Sequence, residues 1–329
     1  MDSLQRCADN YEENRIQGTH RQREGGGEGR MTESQTYSFF LGCVMPNRFP
    51  NLEASIRVVL PKLGIELEDL KGASCCPAPG VVRSFDEPTW LALASRNLAL
   101  AEMSGHDLIT GCNGCYGTFK ESLEEIREHP ERLKEVQKVF KGMGLKFQGK
   151  VEAKHVIEVI NELDIEDIKK KVTRSLEGIR VGVHYGCHLL KPSKNRPWKQ
   201  TQRHTFLDEL VEVTGATSVD YKDKYLCCGA GGGVRGSQVA VSVDIAQEKL
   251  DNMIEVGVDC LVNVCSFCHL QYEASQVQLN KELGEKKYQI PVIYYTQLLG
   301  LAMGLDPKEL GLDVHMISTQ PLLDKILNK

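Results

Sequence analysis

Apolar and polar positions along this chain change period several times, and the changes come in the same order twice. Tyr37-Ser38-Phe39-Phe40-Leu41 is a short β-rich run leading into Gly42, and Ile179-Arg180-Val181-Gly182-Val183-His184-Tyr185 leads into Gly186. Runs of this length bounded by glycine predict buried strands. Leu52, Ile56, Val59, Leu60 and Leu63 then recur at helical spacing, and 206–213 is the counterpart in the second half. Longer helices are predicted over 88–103 and 237–256, the first with proline in its first turn. His106-Asp107-Leu108-Ile109-Thr110 and Cys260-Leu261-Val262-Asn263-Val264 predict one further strand each. Both halves close alike, because 151–163 resembles 292–301 as a strand entry running into a helix.

Strands alternating with helices predict an α/β fold of two homologous cysteine-rich domains, each on a parallel sheet. The duplication spans about 36–164 and 178–306, with a charged helical connector at about 165–177. The expected division is an N-terminal extension at 1–35, a first domain with its connector at 36–177, a second domain at 178–306 and a C-terminal tail at 307–329. Residues 1–30 are polar and glycine-rich without apolar periodicity, which predicts disorder. Met31, just ahead of the first strand, is an alternative start to Met1, and Cys7 in this stretch is not expected to be a ligand.

Cysteine sharpens the repeat. Cys43, the pair Cys75-Cys76, and Cys112 with Cys115 are followed by Cys187, the pair Cys227-Cys228, and Cys265 with Cys268, so ten of the 12 cysteines form one constellation twice. The single cysteine is separated from the pair by 31 and 39 residues, and the pair from the closing C-x-x-C by 35 and 36. The pairs sit in loops rich in glycine and proline, which let the backbone turn tightly around a bulky inorganic ligand. All follow predicted strands, and parallel sheets gather their sites outside the carboxyl ends of strands. A lone C-x-x-C suits zinc or dithiol chemistry, and four cysteines suffice for tetrahedral zinc or an ordinary iron–sulfur cluster. Five at matched spacing exceed both requirements and point to iron and sulfur at two sites. The fifth thiolate either bridges irons or stays free as a redox thiol.

The formal net charge of −5 gives no sign of counterion-release binding to nucleic acid, which needs a concentrated basic surface. No run of 18 apolar residues argues for a membrane span, and no apolar signal core starts the chain. The expected setting is a reducing cytoplasm, where thiols serve as ligands or redox groups and not as disulfides.

Six motifs together carry a family resemblance: Phe40-Leu41-Gly42-Cys43, Ser74-Cys75-Cys76-Pro77-Ala78-Pro79-Gly80, Cys112-Asn113-Gly114-Cys115, His184-Tyr185-Gly186-Cys187-His188, Cys227-Cys228-Gly229-Ala230-Gly231-Gly232-Gly233 and Asn263-Val264-Cys265-Ser266-Phe267-Cys268-His269-Leu270. The pattern resembles the cysteine-rich CCG domain, and about 37–305 resembles the B subunits of methanogen heterodisulfide reductases; the 30-residue start departs from that family. The resemblance implies two noncubane 4Fe-4S clusters, one held by Cys43, Cys75, Cys76, Cys112 and Cys115, the other by Cys187, Cys227, Cys228, Cys265 and Cys268. It implies reduction of the coenzyme M–coenzyme B disulfide to two thiols in methanogenesis, by homolytic cleavage between the clusters. It also implies partners: the flavin-containing, electron-bifurcating member of the same reductase, its small member with ordinary 4Fe-4S clusters, and a supply from ferredoxin, hydrogenase or formate dehydrogenase. The rivals are a CCG component of a glycolate-, lactate- or sulfur-oxidising complex and a zinc-stabilised scaffold.

Other residues have a chemical and a packing reading each. His188, beside Cys187, is the candidate proton donor to a nascent thiolate, with His184 and His269 placed similarly in sequence. Gly229 to Gly233 with Arg235 suits a phosphate cradle or close packing on a cluster, and lacks the lysine of a P-loop. Lys191, Lys194, Arg196, Lys199 and Arg203 form a basic stretch able to steer anions or to lie solvated. Cys260, Trp90 and Trp198 are read as core groups.

Overall fold

The computed structural model describes residues 35–198 and 201–328. The expectations for Cys7, for the two possible starts and for Lys199 therefore lie outside the described residues.

In the first half, β1 (Gln35–Phe40) is followed by α1 (Val44–Arg48), α2 (Pro50–Lys62), β2 (Ile65–Asp69), α3 (Val82–Phe85), α4 (Glu87–Ser104), β3 (Leu108–Thr110), α5 (Asn113–Glu128), α6 (Pro130–Phe140), β4 (Ala153–His155) and α7 (Val156–Glu162). After α8 (Ile165–Lys170), the second half runs β5 (Arg180–His184), α9 (Cys187–Leu190), α10 (Phe206–Glu212), β6 (Thr217–Val219), α11 (Val234–Ser237), α12 (Val239–Glu255), β7 (Cys260–Asn263), α13 (Ser266–Leu283), β8 (Val292–Tyr294) and α14 (Tyr295–Ala302), and α15 (Gln320–Leu327) ends it. The strand orders are β2-β1-β3-β4 and β6-β5-β7-β8, every pair parallel. Helices cover both faces, so β3, β7 and β8 are buried along their whole length. The long helix predicted from residue 237 begins at Val239, because Gln238 (φ −137°, ψ 61°) leaves helical geometry between α11 and α12.

Register places the strand ends in rows. Phe40 lies opposite Thr110 and Thr110 opposite His155; His184 lies opposite Asn263 and Asn263 opposite Tyr294. The halves exchange packing in a pseudo-two-fold manner. Helix α14 lies on α2 while α10 lies on α7, and α9 lies on α5 while α13 lies on α1. One hydrophobic core consequently crosses the boundary, with Leu52, Ile56 and Val156 from one half packed in the same cluster as Leu207, Leu298 and Leu299 from the other. Tyr294 ties the approaches to both C-x-x-C motifs together, its hydroxyl 2.8 Å from Gly111 O and 3.1 Å from Val264 O. The last segment is packed as well: Leu310, Leu312, Leu322 and Ile326 are buried in that core.

Candidate metal centre

The fold delivers every repeated cysteine to the carboxyl ends of the strands. Cys43 and Cys187 stand at the starts of α1 and α9. Cys112 and Cys265 occupy the N-cap positions of α5 and α13, with Cys115 and Cys268 in the first turns. The pairs lie on the loops after β2 and β6. In the first half Cys43 touches Cys75, Cys76 touches both Cys75 and Cys115, and Cys112 touches Cys115. In the second, Cys187 and Cys227 have sulfurs 3.9 Å apart, Cys228 touches Cys227 and Cys268, and Cys265 touches Cys268. The ten thiols thus form two connected groups of five, and the groups meet where Cys112 Sγ and Cys265 Sγ are 3.8 Å apart.

Glycine makes room for this crowding at defined points. A β-carbon on Gly42 (φ +75°) would stand 3.2 Å from Cys115 Sγ. One on Gly186 (φ +77°) would stand 2.3 Å from the Asn113 Nδ2 that donates to Tyr185 O at 2.8 Å. The two cysteine-pair loops cross at equivalent residues, where a β-carbon on Gly80 would lie 2.8 Å from the Cα of Gly232.

Inside each group the thiols contend for protons. Hydrogen bonds from neighbouring thiols hold Cys76 down at about 6 and push Cys112 and Cys227 below the ordinary thiol range. Their donors are pushed up, Cys115 and Cys187 by the bonds they give and Cys228 to about 12, and Cys43 is pushed up by the bond it gives to Cys75. Without a metal, thiol-to-thiol bonding and burial oppose ionisation of the donors among these thiols. Ionising all of them requires positive charge at their centre, which a metal supplies on binding. Soft, glycine-cradled thiols, six of the ten buried, are the donor set that an iron–sulfur group takes.

A polar cluster backs the second group. A ring nitrogen of His184 and the sulfurs of Cys228 and Cys268 all lie within 4.8 Å of one another. His184 Nδ1 is 3.0 Å from Lys249 Nζ and 3.2 Å from the Tyr272 hydroxyl, while its Nε2 is buried without a partner among the described residues. Burial drives the His184 pKa well below the ordinary range and that of Lys249 down to about 8. Sequence reasoning passed over Lys249 and Tyr272. A position-by-position comparison of the two halves is the signal that finds them.

The profile of the family described as "CCG: Cysteine-rich domain" matches residues 37–120 and 181–273, so it falls on both halves. The chain belongs to the CCG cysteine-rich domain family. Among its relatives, the B subunit of the "Ferredoxin/F(420)H(2)-dependent CoB-CoM heterodisulfide reductase" of Methanosarcina acetivorans is 48% identical over 290 residues, covering 88% of this chain and 96% of that protein. The B subunit of the "Ferredoxin:CoB-CoM heterodisulfide reductase" of Methanosarcina mazei is 47% identical over the same shares. A crystal structure of a hypothetical protein from Helicobacter pylori superposes with a TM-score of 0.69 at 16% identity, over 94% of this chain and 57% of that one, which shows a shared fold.

Around the paired CCG sites the remaining candidates separate by what they touch. His188 is half-buried at the boundary between the halves, so close to α5 that a β-carbon on Gly117 would be 3.1 Å from its Nδ1; burial pushes its pKa down. His269 points away from the thiols, receiving Asn263 Nδ2 on Nδ1 at 3.2 Å and turning Nε2 to Glu273 at 3.6 Å. The glycine loop gives its first N–H to sulfur, Gly229 N to Cys227 Sγ at 3.3 Å. In the basic stretch, Lys194 pairs with Glu124 at 2.7 Å, and Arg196 is buried against Glu121 at 3.6 Å and the Lys191 carbonyl at 2.7 Å. Cys260 is wholly buried in β7, away from both groups, and its thiol is pushed up by burial. Trp198 stacks on Phe206 at 3.9 Å and Trp90 is fully buried.

Proposed function

We propose that this chain is the disulfide-reducing component of a CoB–CoM heterodisulfide reductase, working in the cytoplasm as part of a larger redox complex. The observation that carries the reading is the pair of five-thiol groups meeting through Cys112 and Cys265. Two noncubane 4Fe-4S groups, held by Cys43, Cys75, Cys76, Cys112 and Cys115 and by Cys187, Cys227, Cys228, Cys265 and Cys268, supply one-electron reduction of sulfur when bound. Opening a disulfide takes two electrons and two protons and gives two thiols, so two one-electron sites side by side match the stoichiometry. The chain's own part is geometric and electrostatic. Its crossing loops fix the distance between the halves, burial of Cys76, Cys112, Cys115, Cys228, Cys265 and Cys268 excludes water, and exposed Cys43 and Cys75 leave one side open. His188, beside Cys187 at the boundary, holds a proton for a product thiolate.

Among the described residues no helix is long and apolar enough to cross a membrane. Electrons reach the chain through partner proteins of the same reductase, one carrying ordinary 4Fe-4S clusters and one carrying flavin. The relatives' names favour ferredoxin or reduced F420 as the source. Hydrogenase or formate dehydrogenase coupling is the alternative, and activity of the purified complex with each donor separates them.

The test is iron and sulfide analysis with electron paramagnetic resonance on anaerobically purified protein, before and after coenzyme M thiol under oxidising conditions. About eight irons per chain and a new paramagnetic signal with the thiol are expected. Iron without a response to the thiol would point to another CCG oxidoreductase, and zinc without sulfide to a scaffold.

A further inference from the structure

The halves use the same backbone and differ in what stands behind their thiols. Three residues before the single cysteine the first half has Phe40 and the second His184; four residues after the last cysteine they have Phe119 and Tyr272; 21 residues after the cysteine pair they have Asn97 and Lys249. The ring pairs are held in the same geometry, and the third residue of each trio secures the loop of the cysteine pair. Phe40 and Phe119 meet edge to face with centroids 4.8 Å apart, as His184 and Tyr272 do at 5.0 Å. Asn97 secures its loop by accepting from Ser74 N at 2.9 Å and donating to Cys75 O at 3.2 Å. Lys249 secures the equivalent loop through Leu226 O at 3.0 Å and Lys224 O at 3.1 Å. The first half therefore shows that a neutral amide and two phenyl rings suffice for the architecture. An ammonium, a phenol and an imidazole in those places need another reason.

Their geometry supplies one. An ammonium has only donors, so Lys249 Nζ at 3.0 Å makes His184 Nδ1 the acceptor and leaves the ring proton on Nε2. That N–H is buried and unpartnered among the described residues, in a ring beside Cys228 and Cys268. Lys249 itself is 1% exposed, and none of its three hydrogen bonds goes to a carboxylate. The charges facing it are the sulfurs of Cys228, Cys268 and Cys227, with Asp223 beyond. Reduction adds negative charge to a sulfur-bound metal group, and a buried N–H donor with an ammonium behind it favours the reduced state.

We propose that His184, Lys249 and Tyr272 are positioning residues that make the two CCG sites electronically unequal, giving the group held in the second half the higher reduction potential. The inference rests on the iron–sulfur reading above and adds a direction to it: the first electron taken from an external reductant settles in the second half.

The experiment is a dithionite titration of the loaded complex against redox mediators, followed by electron paramagnetic resonance, with iron and sulfide measured on every sample. Two separate one-electron steps are expected for the native protein. Lys249→Asn, which installs the residue native to the first half, should leave iron content unchanged and weaken the higher-potential reduction about tenfold, 59 mV for one electron, without moving the lower step. Tyr272→Phe, whose ring Phe119 already supplies in the first half, should move the same step the same way by about threefold, and it carries the test if Lys249→Asn loads poorly. A higher step that stays put in fully loaded variants, or two steps that shift together, would overturn the inference alone. A native protein without iron would instead overturn the reading on which it rests.

Discussion

Gly80 and Gly232 touch because the two cysteine-pair loops cross there, and the contact is backbone on backbone. No side chain can swing away to admit a methyl group. Gly80→Ala should lower stability by about 1–3 kcal/mol and reduce iron retained per chain, read by thermal melting and metal analysis; a variant that melts and loads normally would mean the loops have slack. His188 presents a different kind of residue question. Its ring packs at the boundary of the halves against Gly117 of α5, where a glutamine of similar length fits the same space, so replacement should leave the scaffold alone. His188→Gln should slow disulfide turnover while iron content and spectra stay native. Unchanged turnover across the pH range removes it from proton delivery.

At the scale of the element, α13 shows how one helix serves two tasks. Cys268 and Tyr272, four apart, face the thiols; His269 and Glu273, also four apart, face the C-terminal segment. Glu273 accepts Met316 N at 3.1 Å and Ile317 N at 3.3 Å, with His315 Nδ1 at 3.3 Å and His269 Nε2 at 3.6 Å. Both rings present N–H to it, because the amides of Asn263 and Gln297 donate to their other nitrogens. The cluster is a buried carboxylate between two imidazoles. Against the cost of burial, the His269 and His315 rings hold the Glu273 carboxyl at about 2, below its ordinary 4.5. A depressed carboxylate pKa stabilises the fold above 4.5, and that contribution is lost as pH falls from 4.5 through about 2. Glu273→Gln should remove that slope, so denaturation midpoints of variant and native protein should converge as pH drops over this window. Parallel curves would show that the clasp does not depend on charge.

For the whole molecule, the exchanged packing makes the two domains one cooperative unit. Ile56 of α2 lies in the core shared with Leu298 and Leu299 of α14, and Ser55 Oγ meets Thr296 Oγ1 at 2.6 Å across the same boundary. Ile56→Ala should cost about 2–5 kcal/mol and shift a single unfolding transition seen from both halves. Two transitions, with only the first-half probe moving, would contradict this. The inner strands, the long helices and the grouping of both five-cysteine sets were legible in the sequence, because buried strands read as apolar runs and the cysteines recur at matched spacing. Strands β2 and β6 were not: Ile65–Asp69 reads Ile-Glu-Leu-Glu-Asp, because these two edges are largely exposed and keep polar residues, whereas the edge strand β8 is buried throughout. Nor was the packing of 307–328, whose apolar residues find their core among partners far away in the chain. The sequence by itself determined two α/β repeats and the two matched sets of five cysteines, through local periodicity and spacing. Only the tertiary structure decided that Cys112 meets Cys265, and that Lys249 and Tyr272 converge on His184 in one half alone. Those contacts join positions separated by 153, 65 and 88 residues, where no local pattern acts and only the closing of both sheets into one core brings the groups together.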